Sequence, residues 1–320
     1  MRFTTTFRLL MAACVLAGLV WFFEKRAGSA DSRLRRNARV LEATAENVSR
    51  ILIERGKLRA ECLKKDGTWY IERPIRAKAD DNQVETILNA LEAMTRGEVI
   101  TAEQCREREL GLKDYGLLQP KARLVVDDKS GSRELLIGDE SPLGSLLYVK
   151  LAGSEEILAT QRGIADALPD GIEDLRDRSL LSGKPASATK LEIRSKTGGI
   201  VQLGLAGGRW MIQQPVGARA DSRLVERMIE ALFSVKAERF IWDPVVDPVV
   251  EKDPAVPEAA PGPRVEVYGL ARDEAAARVT VWVSGSEAGR ELILGKPASE
   301  DGKQVYVKLG DSDSVYAVSR

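Results

Sequence analysis

The sequence predicts an α+β fold built from two tandem copies of one motif, each a mostly antiparallel sheet with a packed amphipathic helix. The main observation is that residues 67–94, GTWYIERPIRAKADDNQVETILNALEAM, are similar to residues 208–235, GRWMIQQPVGARADSRLVERMIEALFSV. At an offset of 141 they share a Gly-x-Trp-x-Ile-x-x-Pro segment, an Ala-Asp pair and one pattern of apolar residues. Matches at so many positions indicate an internal duplication. An apolar N-terminus additionally predicts one transmembrane helix.

The first half of the repeated stretch predicts a strand. Trp69 and Ile71 alternate with other residues, as do Trp210 and Ile212, and alternation at period two is typical of a half-buried strand. The proline that follows ends the strand, because proline cannot donate to the ladder. A tryptophan on the inward face of a strand is more often core than part of a ligand cage. We therefore expect both indoles to be buried.

The second half predicts an amphipathic helix in each copy, over residues 80–95 and 221–235. Asp80 and Asp221 stand where an N-cap carboxylate would accept a free backbone N–H. The apolar residues that follow have the spacing i, i+3, i+4, i+7 and i+10, which places them on one face of a helix. They are Val84, Ile87, Leu88, Leu91 and Met94 in the first copy and Val225, Met228, Ile229, Leu232 and Val235 in the second.

The remaining elements follow in one order in both copies, which we assign to residues 48–180 and 181–320. The offset between the copies rises from 141 to 158, mostly within residues 243–264, which hold six of the thirteen prolines and are predicted to be an extended surface insertion. In the first copy we predict strands at 48–54, 58–64, 97–101, 121–127, 133–137, 146–151 and 156–160 and short helices at 102–113 and 161–168.

The N-terminus contains an unbroken apolar run at residues 9–23. A helix of twenty residues that begins just before this run spans about 30 Å, enough for the hydrocarbon core of a bilayer. We predict an uncleaved membrane anchor at residues 1–30, followed by a stalk at 31–47. A cleaved signal peptide is the alternative, with Gly28-Ser29-Ala30 before the cut, but three charged residues would then separate the apolar run from the cleavage point.

The charges beside the anchor leave its orientation open. Residues 1–36 hold seven basic and two acidic residues, a net charge of +5, so the remainder of this neutral chain carries −5. The excess of positive charge on the C-terminal flank of the apolar run favours a cytoplasmic body. A short basic start followed by an apolar run is, in contrast, typical of exported proteins.

Composition excludes several classes of function. The chain has no histidine, so Ser–His and Cys–His nucleophile pairs and histidine metal sites are excluded. The three cysteines have no CxxC spacing, and we predict no zinc or other metal site. A disulfide between Cys62 and Cys105 is conceivable, although a buried free thiol at Cys62 fits its strand face better. A mildly acidic body indicates no binding to nucleic acid.

Five short constellations carry groups that could perform chemistry, and each has a structural explanation. Asp80-Asp81 lies at a helix start, and Asp127-Asp128 lies in a hairpin turn. Gly198-Gly199 and Gly207-Gly208 are expected to be hairpin turns, because no helix follows them directly. Arg176-Asp177-Arg178 is expected to form a solvated ion pair in the connector. We therefore predict no catalytic, metal-binding or cofactor-binding residue and no cofactor.

Several motifs in a fixed order resemble those of the DUF4340 proteins, a bacterial family of unknown function. The motifs comprise the apolar N-terminus, the Trp strand with its proline and the Ala-Asp helix start, and then Tyr115-Gly116-Leu117 with Pro120, Ile137-Gly138, Tyr148-Val149-Lys150 and Leu175-Arg176-Asp177-Arg178. The second copy has Tyr268-Gly269-Leu270 but Asp273 in place of the proline, which makes the same turn less certain there.

The resemblance implies a single-pass protein of the bacterial inner membrane with most of the chain outside the cytoplasm, encoded beside gliding-type ABC transporters. It supplies no catalytic residues. From it we expect a non-enzymatic accessory or scaffold protein of an envelope ABC-type transport system, whose partner is a permease or auxiliary subunit. The alternatives are an extracytoplasmic glycan- or peptide-binding module and a histidine-free carboxylate hydrolase. An exposed apolar patch favours the scaffold, an aromatic-lined groove the binding module, and two facing carboxylates in a pocket the hydrolase.

Overall fold

A computed structural model describes residues 40–41, 45–142, 144, 146–244 and 265–320. The predicted anchor at residues 1–30 lies outside the described residues, as does most of the predicted stalk and all but the first two residues of the Pro-rich insertion. None of the helices in the described ranges is long and apolar enough to cross a membrane.

The described chain forms two nine-stranded antiparallel sheets. The strands of the first sheet are β1 (Arg50–Arg55), β2 (Leu58–Lys65), β3 (Thr68–Arg73), β4 (Ala77–Lys78), β5 (Glu98–Ile100), β6 (Ala122–Asp128), β7 (Gly131–Glu140), β8 (Leu147–Leu151) and β9 (Ile157–Thr160). The strands of the second sheet are β10 (Ala188–Ser195), β11 (Gly199–Ala206), β12 (Arg209–Gln214), β13 (Ala218–Arg219), β14 (Ala237–Trp242), β15 (Ala277–Val283), β16 (Arg290–Pro297), β17 (Gln304–Leu309) and β18 (Val315–Ser319).

The α-helices are fewer than the strands. They are α1 (Asp81–Ala93), α2 (Ala102–Glu107), α3 (Gly163–Ala167) and α4 (Ser222–Ser234), with single 3-10 turns at Ala45–Asn47, Ile172–Leu175 and Pro185–Ser187. The helix predicted over residues 102–113 therefore extends only to Glu107. Glu109 adopts a left-handed φ of 55°, and the Leu110 N–H bonds back to the Cys105 carbonyl, so the chain leaves the helix there.

The two sheets have the same strand order, which confirms the prediction of two tandem antiparallel sheets. The first runs β4-β3-β2-β1-β6-β7-β8-β9-β5, and the second runs β13-β12-β11-β10-β15-β16-β17-β18-β14. Each strand of the second sheet therefore corresponds to the strand of the first sheet whose number is lower by nine, so that β10 corresponds to β1 and β18 to β9. The registers agree as well, since Ala122 lies opposite Ile137 in the first sheet and Ala277 lies opposite Leu294 in the second.

The described chain divides into two compact units, and their boundaries do not coincide with the two sheets, because β2 to β4 of the first sheet belong to the second unit. The first contains the described residues up to Lys57 together with Val84–Asp170, and the second contains Leu58–Gln83 together with Gly171–Arg320. The boundary expected near residue 180 stays a prediction.

The helix starts form as the sequence predicts. A carboxylate oxygen of Asp221 accepts the backbone N–H groups of Arg223 and Leu224, and a carboxylate oxygen of Asp80 accepts that of Asn82 at 2.9 Å. These bonds satisfy donors that the first turn of a helix leaves free. On the predicted faces, four residues of α1 and two of α4 are buried: Val84, Ile87, Leu88, Leu91, Val225 and Ile229.

Both tryptophans of the repeat are core residues, as expected. Trp69 is 1% exposed and Trp210 is 4% exposed. In the second unit, Trp210 belongs to one apolar cluster with Val225 and Ile229 of α4 and with Leu191 of β10. Buried indoles cannot stack on a ligand, and in the second copy the Trp210 strand packs against α4.

We expect the Trp210→Ala variant to lose about 3–5 kcal/mol of unfolding free energy, because it removes a large buried side chain and leaves a cavity. Urea denaturation followed by circular dichroism measures this loss. Val216→Ala is the matched control, because Val216 is 68% exposed in the loop that follows the same strand, and its change should stay within about 0.5 kcal/mol. Equal effects of the two variants would show that Trp210 is not part of the core.

Candidate functional site

The adjacent aspartates at the start of α1 are used by the backbone. The Asp80 N–H donates to the Leu175 carbonyl at 2.8 Å, and the Asp81 carboxylate accepts the backbone N–H of Trp69 at 2.8 Å. In the second copy a hydroxyl replaces that second carboxylate, since Ser222 Oγ accepts the backbone N–H of Trp210 at 3.3 Å. Because a hydroxyl meets the same requirement, these bonds explain the pair without an acid–base role.

The other predicted turns also form. Asp128 closes the turn between β6 and β7, where its carboxylate accepts the Ser130 N–H at 2.7 Å and an Arg133 N–H at 2.6 Å. These donors, with the Ser130 hydroxyl foremost, lower the pKa of Asp128 to about 2. Gly207 and Gly208 both have positive φ and join β11 to β12, as a two-residue hairpin loop requires.

Cys62 and Cys105 are both free thiols, which confirms the prediction for Cys62. Cys62 is fully buried in β2. Burial, with a smaller contribution from the neighbouring Glu61 carboxylate, raises the pKa of the Cys62 thiol to about 12. A thiol with so high a pKa carries almost no thiolate at neutral pH and is a poor nucleophile.

The Tyr-Gly-Leu, Ile-Gly and Tyr-Val-Lys motifs meet in one place in the first copy. The Tyr115 carbonyl accepts the Asp139 N–H at 2.9 Å, and the Tyr115 and Tyr148 rings meet edge to face with centroids 4.9 Å apart. A Cβ atom at Gly138 would lie 2.2 Å from the Tyr115 oxygen, and Gly116 has a φ of 67°. These glycines are therefore needed for close backbone approach and for the turn.

The second copy forms the same contacts. The Tyr268 carbonyl accepts the Lys296 N–H at 2.9 Å, and the Tyr268 and Tyr306 rings are 4.8 Å apart. A Cβ atom at Gly295 would again lie 2.2 Å from the tyrosine oxygen. The Leu270 N–H bonds to the Val265 carbonyl at 2.8 Å, just as the equivalent bond closes the turn before Pro120. The turn that the missing proline left uncertain is thus preserved, and the motifs are structural.

The prediction that Arg176-Asp177-Arg178 forms a solvated ion pair in the connector is wrong for Arg176. Arg176 is not solvated, since its side chain is 3% exposed and forms a bidentate ion pair with Asp243, with N–O distances of 2.5 and 2.8 Å. The guanidinium also lies 3.6 Å from the ring centroid of Phe240, which itself meets Tyr316 edge to face. We call these four residues the Arg176 cluster. A planar guanidinium satisfies a carboxylate and an aromatic face at once, which an ammonium cannot.

Backbone bonds hold the connector on both sides of Arg176 within the second unit. The Asp177 N–H donates to the Lys78 carbonyl at 3.0 Å, and the Ala237 N–H donates to the Arg178 carbonyl at 2.7 Å. The Asp177 carboxylate also pairs with the Lys78 ammonium at 2.7 Å. Burial alone would raise the pKa of Asp177, but its bonds to Lys78 and Ser179 outweigh burial and lower the pKa.

A groove of about 590 Å³ lies in the first unit, and its lining includes Tyr115 and Tyr148 as well as four charged residues. Its carboxylates already have partners, because Asp139 pairs with Lys121 at 2.9 Å and Asp114 accepts the Gly111 N–H at 2.7 Å. Glu140, the third carboxylate of the lining, pairs with Arg162 at 3.1 Å.

A second groove, of about 400 Å³, lies in the second unit and has a different lining. It runs between the end of α4 and the face of strands β15 to β18, and we call it the apolar groove. Its side walls are aliphatic, and its lining comprises Leu232, Val235, Ala276, Ala277, Leu292, Leu294, Gly295, Pro297, Val305, Val307, Val318, Ser319 and Arg320. An apolar concavity of this size is the kind of surface that binds an apolar side chain of a ligand or partner.

In the part of the chain that the structure describes, no group of three or more Cys, Asp or Glu residues is placed to hold a metal ion. Of the two grooves described above, we take the apolar groove, with its aliphatic side walls, as the candidate functional site. It was not predicted from the sequence, because its residues are the ordinary core positions of a strand–helix repeat. Only a comparison of solvent exposure between the two copies distinguishes the groove residues from ordinary core residues.

The fold defines a class of protein, a tandem repeat of two antiparallel sheets whose repeat motifs are structural. The comparison with family profiles then gives the family. The profile described as Domain of unknown function (DUF4340) matches residues 69–256 and, in a second match, residues 210–320. These matches cover more than half of the chain, so the chain belongs to the DUF4340 family, as the motifs predict. The two matches begin at Trp69 and Trp210, the paired tryptophans of the repeat. No curated protein matches the sequence.

We expect Gly138→Ala to be strongly destabilising, because the added methyl would lie 2.2 Å from the Tyr115 carbonyl oxygen. A clash with backbone forces a shift in a packed region and typically costs about 1–3 kcal/mol or more. Thermal unfolding by calorimetry measures the effect. Gly217→Ala is the matched control, since a Cβ atom there meets nothing within 4 Å and its φ is ordinary. An unchanged melting temperature for Gly138→Ala would refute the close-contact explanation of the motif.

We expect Arg176→Met to cost about 3–5 kcal/mol, because it leaves the Asp243 carboxylate largely buried without its cation. Arg176→Lys should recover only part of this loss, since lysine keeps the charge but not the two-pronged contact. The double variant Arg176→Met/Asp243→Leu should be more stable than Arg176→Met alone. Chemical denaturation of the wild type, Arg176→Met, Asp243→Leu and the double variant gives the coupling energy, and additive losses would show that the pair does not interact.

Proposed function

We propose that this protein is a non-enzymatic, membrane-anchored accessory or scaffold protein of an envelope ABC-type transport system. In this proposal residues 9–23 cross the bacterial inner membrane once, the bulk of the chain is extracytoplasmic, and the partner is a permease or auxiliary subunit. The resemblance that suggests this context rests on the family motifs, and the family itself carries no assigned activity.

The observation that carries the proposal is the apolar groove. A scaffold needs a surface on which another protein can dock, and such surfaces are contiguous, apolar and rimmed by polar groups. The groove has aliphatic walls, and Arg320 and Ser319 lie at its edge. Its lining contains no aromatic residue. A glycan-binding module would present aromatic faces to sugar rings; the buried indoles of Trp69 and Trp210 do not offer them, whereas Tyr115 and Tyr148 line the groove of the first unit.

The ion pairs of the described chain also support the scaffold proposal. Arg176 pairs with Asp243, Lys78 pairs with Asp177, and Lys121 pairs with Asp139. The first two pairs join parts of the chain that are distant in sequence, and the third joins β7 to the residue before β6. Such pairing supports a stable platform for assembly, because each group is already committed to an intramolecular partner.

We expect the full-length protein, purified from native membranes in mild detergent, to retain subunits of one ABC transporter. The groove variant Val305→Glu should lose most of them, because a carboxylate in an apolar groove is costly to desolvate. Val216→Glu is the matched control, since Val216 is exposed and lies outside the groove. Quantitative mass spectrometry of the three preparations measures the retained subunits.

The sidedness of the body is tested in the same cells with reporter fusions at residues 60 and 320. Both should be active as periplasmic alkaline phosphatase and dark as cytoplasmic fluorescent protein. The opposite pattern would place the body inside the cell and remove the envelope-scaffold proposal. Retention of transporter subunits by Val305→Glu would show that they dock outside the groove and would remove the observation on which the scaffold proposal rests.

A further inference from the structure

The groove of about 590 Å³ in the first unit has a lining quite unlike that of the apolar groove, and we call it the tyrosine groove. Two tyrosines and four charged residues contribute to it: Tyr115, Tyr148, Asp114, Lys121, Asp139 and Glu140. A concavity of this size that combines aromatic walls with a few polar groups is typical of a site for a small molecule.

The second copy has the same backbone arrangement at these positions but not the same charges. The N–H groups of Asp139 and Lys296 make equivalent bonds to a tyrosine carbonyl, which aligns the two copies here. The four charged residues of the groove then have these counterparts: Val267 for Asp114, Ala276 for Lys121, Lys296 for Asp139 and Pro297 for Glu140. Because the tyrosine pair forms in both copies, the fold does not require the charges of the first.

Contacts within the first unit hold the polar groups of the groove in place. Asp139 pairs with Lys121, and Glu140 pairs with Arg162. The Asp139 carboxyl group also lies against Gly116, where a Cβ atom would be 2.5 Å from the carboxyl carbon. A carboxylate can accept about four hydrogen bonds, so one ion pair leaves acceptor capacity. Carboxylate acceptors next to an ammonium donor match hydroxyl groups, which both donate and accept.

The charges around the groove are balanced. Its three carboxylates are accompanied by Lys121 in the lining, by Arg162 through its pair with Glu140, and by Arg108, whose charge acts on the Tyr115 hydroxyl. A cationic ligand would have to compete with Lys121 and Arg162 for the carboxylates. An anionic ligand would approach three carboxylates. The balance therefore favours a neutral ligand.

An apolar wall completes the groove. Tyr115 is buried, and its edge-to-face contact with Tyr148 supports the half-buried ring of Tyr148 at the wall. Leu110, which is 37% exposed, and Pro142 also belong to the lining. A tyrosine offers a large, rigid apolar surface beside a polar tip. A sugar ring has the matching character, since its C–H groups form an apolar face and its hydroxyls surround that face.

We infer that the tyrosine groove binds a neutral saccharide, either a single sugar residue or a short oligosaccharide. The C–H face of the sugar packs on Tyr148 and Leu110, and its hydroxyls bind Asp139, Glu140 and Lys121. The site lies within the first unit and is separate from the apolar groove. The inference therefore goes beyond the scaffold role and does not depend on it.

Isothermal titration calorimetry of the full-length protein tests the inference. The protein is kept in a polyoxyethylene detergent, whose headgroup contains no sugar. The neutral probes are cellotetraose, maltotetraose, mannotetraose and the tetramer of N-acetylglucosamine, and we expect at least one to bind with a Kd below about 1 mM. Tetragalacturonate and the glucosamine tetramer carry charge at neutral pH and should bind at least about tenfold more weakly than the best neutral probe.

The second copy supplies a groove variant whose residues the fold accepts. It combines three changes, Asp114→Val, Lys121→Ala and Asp139→Lys, each to the residue of the second copy. We expect it to bind the best neutral probe at least about tenfold more weakly, because it removes three polar contacts. Its melting temperature should stay within about 4 °C of that of the wild type.

A matched control makes the same kinds of change at exposed positions of the first unit outside the groove, namely Glu85→Val, Lys129→Ala and Glu155→Lys. Its affinity for the probe should equal that of the wild type. The single variant Asp139→Asn keeps the shape of the side chain and should also weaken binding. It is the deciding variant if the triple groove variant unfolds.

No binding of any neutral probe at about 10 mM would overturn the inference, and so would equal affinities of the wild type and the groove variant. Charged probes that bind as tightly as the neutral ones would refute the assignment of a neutral ligand. Binding of tetraalanine, lost in the groove variant while no sugar binds, would make the groove a peptide site and the inference wrong. Copurification of transporter subunits is measured separately, so the scaffold proposal can fail or hold independently of these results.

Discussion

The close contact between a tyrosine carbonyl and a glycine is the constraint on which each repeat depends. Gly138 and Gly295 each allow a tyrosine oxygen to approach to a distance at which a Cβ atom would clash. This approach places the Tyr-Gly-Leu turn against its sheet, so that the tyrosine meets a second tyrosine and the leucine enters a small apolar cluster. The motifs of the family are therefore explained by packing, and a catalytic role is not needed to account for them.

The duplicated strand and helix show which features are structural. Asp81 and Ser222 differ in charge, yet both accept the backbone N–H of the preceding tryptophan. Asp80 and Asp221 both cap a helix. Where two copies of one motif meet the same requirement with different groups, the requirement is a hydrogen bond and not a specific chemistry. The comparison of the two copies therefore shows that the aspartates at the start of α1 serve as hydrogen-bond acceptors, which a single copy of the motif would not show.

Local features of the sequence predicted most of the fold. Strand alternation, helix spacing and the N-cap aspartates depend on neighbouring residues, so the strands, both long helices and the burial of Trp69 and Trp210 could be read in advance. The Arg176 cluster could not, because its partner Asp243 is 67 residues away and stands at the start of a Pro-rich stretch without periodicity. A charged tripeptide in a connector usually lies in solvent, and only the tertiary structure shows that this arginine is buried. The apolar groove was also beyond prediction, since exposure depends on what covers a face and not on the residues that form it.

The second copy keeps apolar residues at positions that its fold leaves half-exposed. Leu232, Leu294 and Val305 all have buried counterparts, and a half-exposed position of a strand or helix accepts polar residues at little cost in stability. Apolar area left in water forgoes about 25 cal/mol for each Å² that a cover would bury. A half-exposed face with aliphatic side walls therefore forgoes stability that it would gain if another apolar surface covered it. Because the registers of the two copies match, Leu232, Leu294 and Val305 can be compared directly with their buried counterparts, and they mark the face at which the second copy differs from the first.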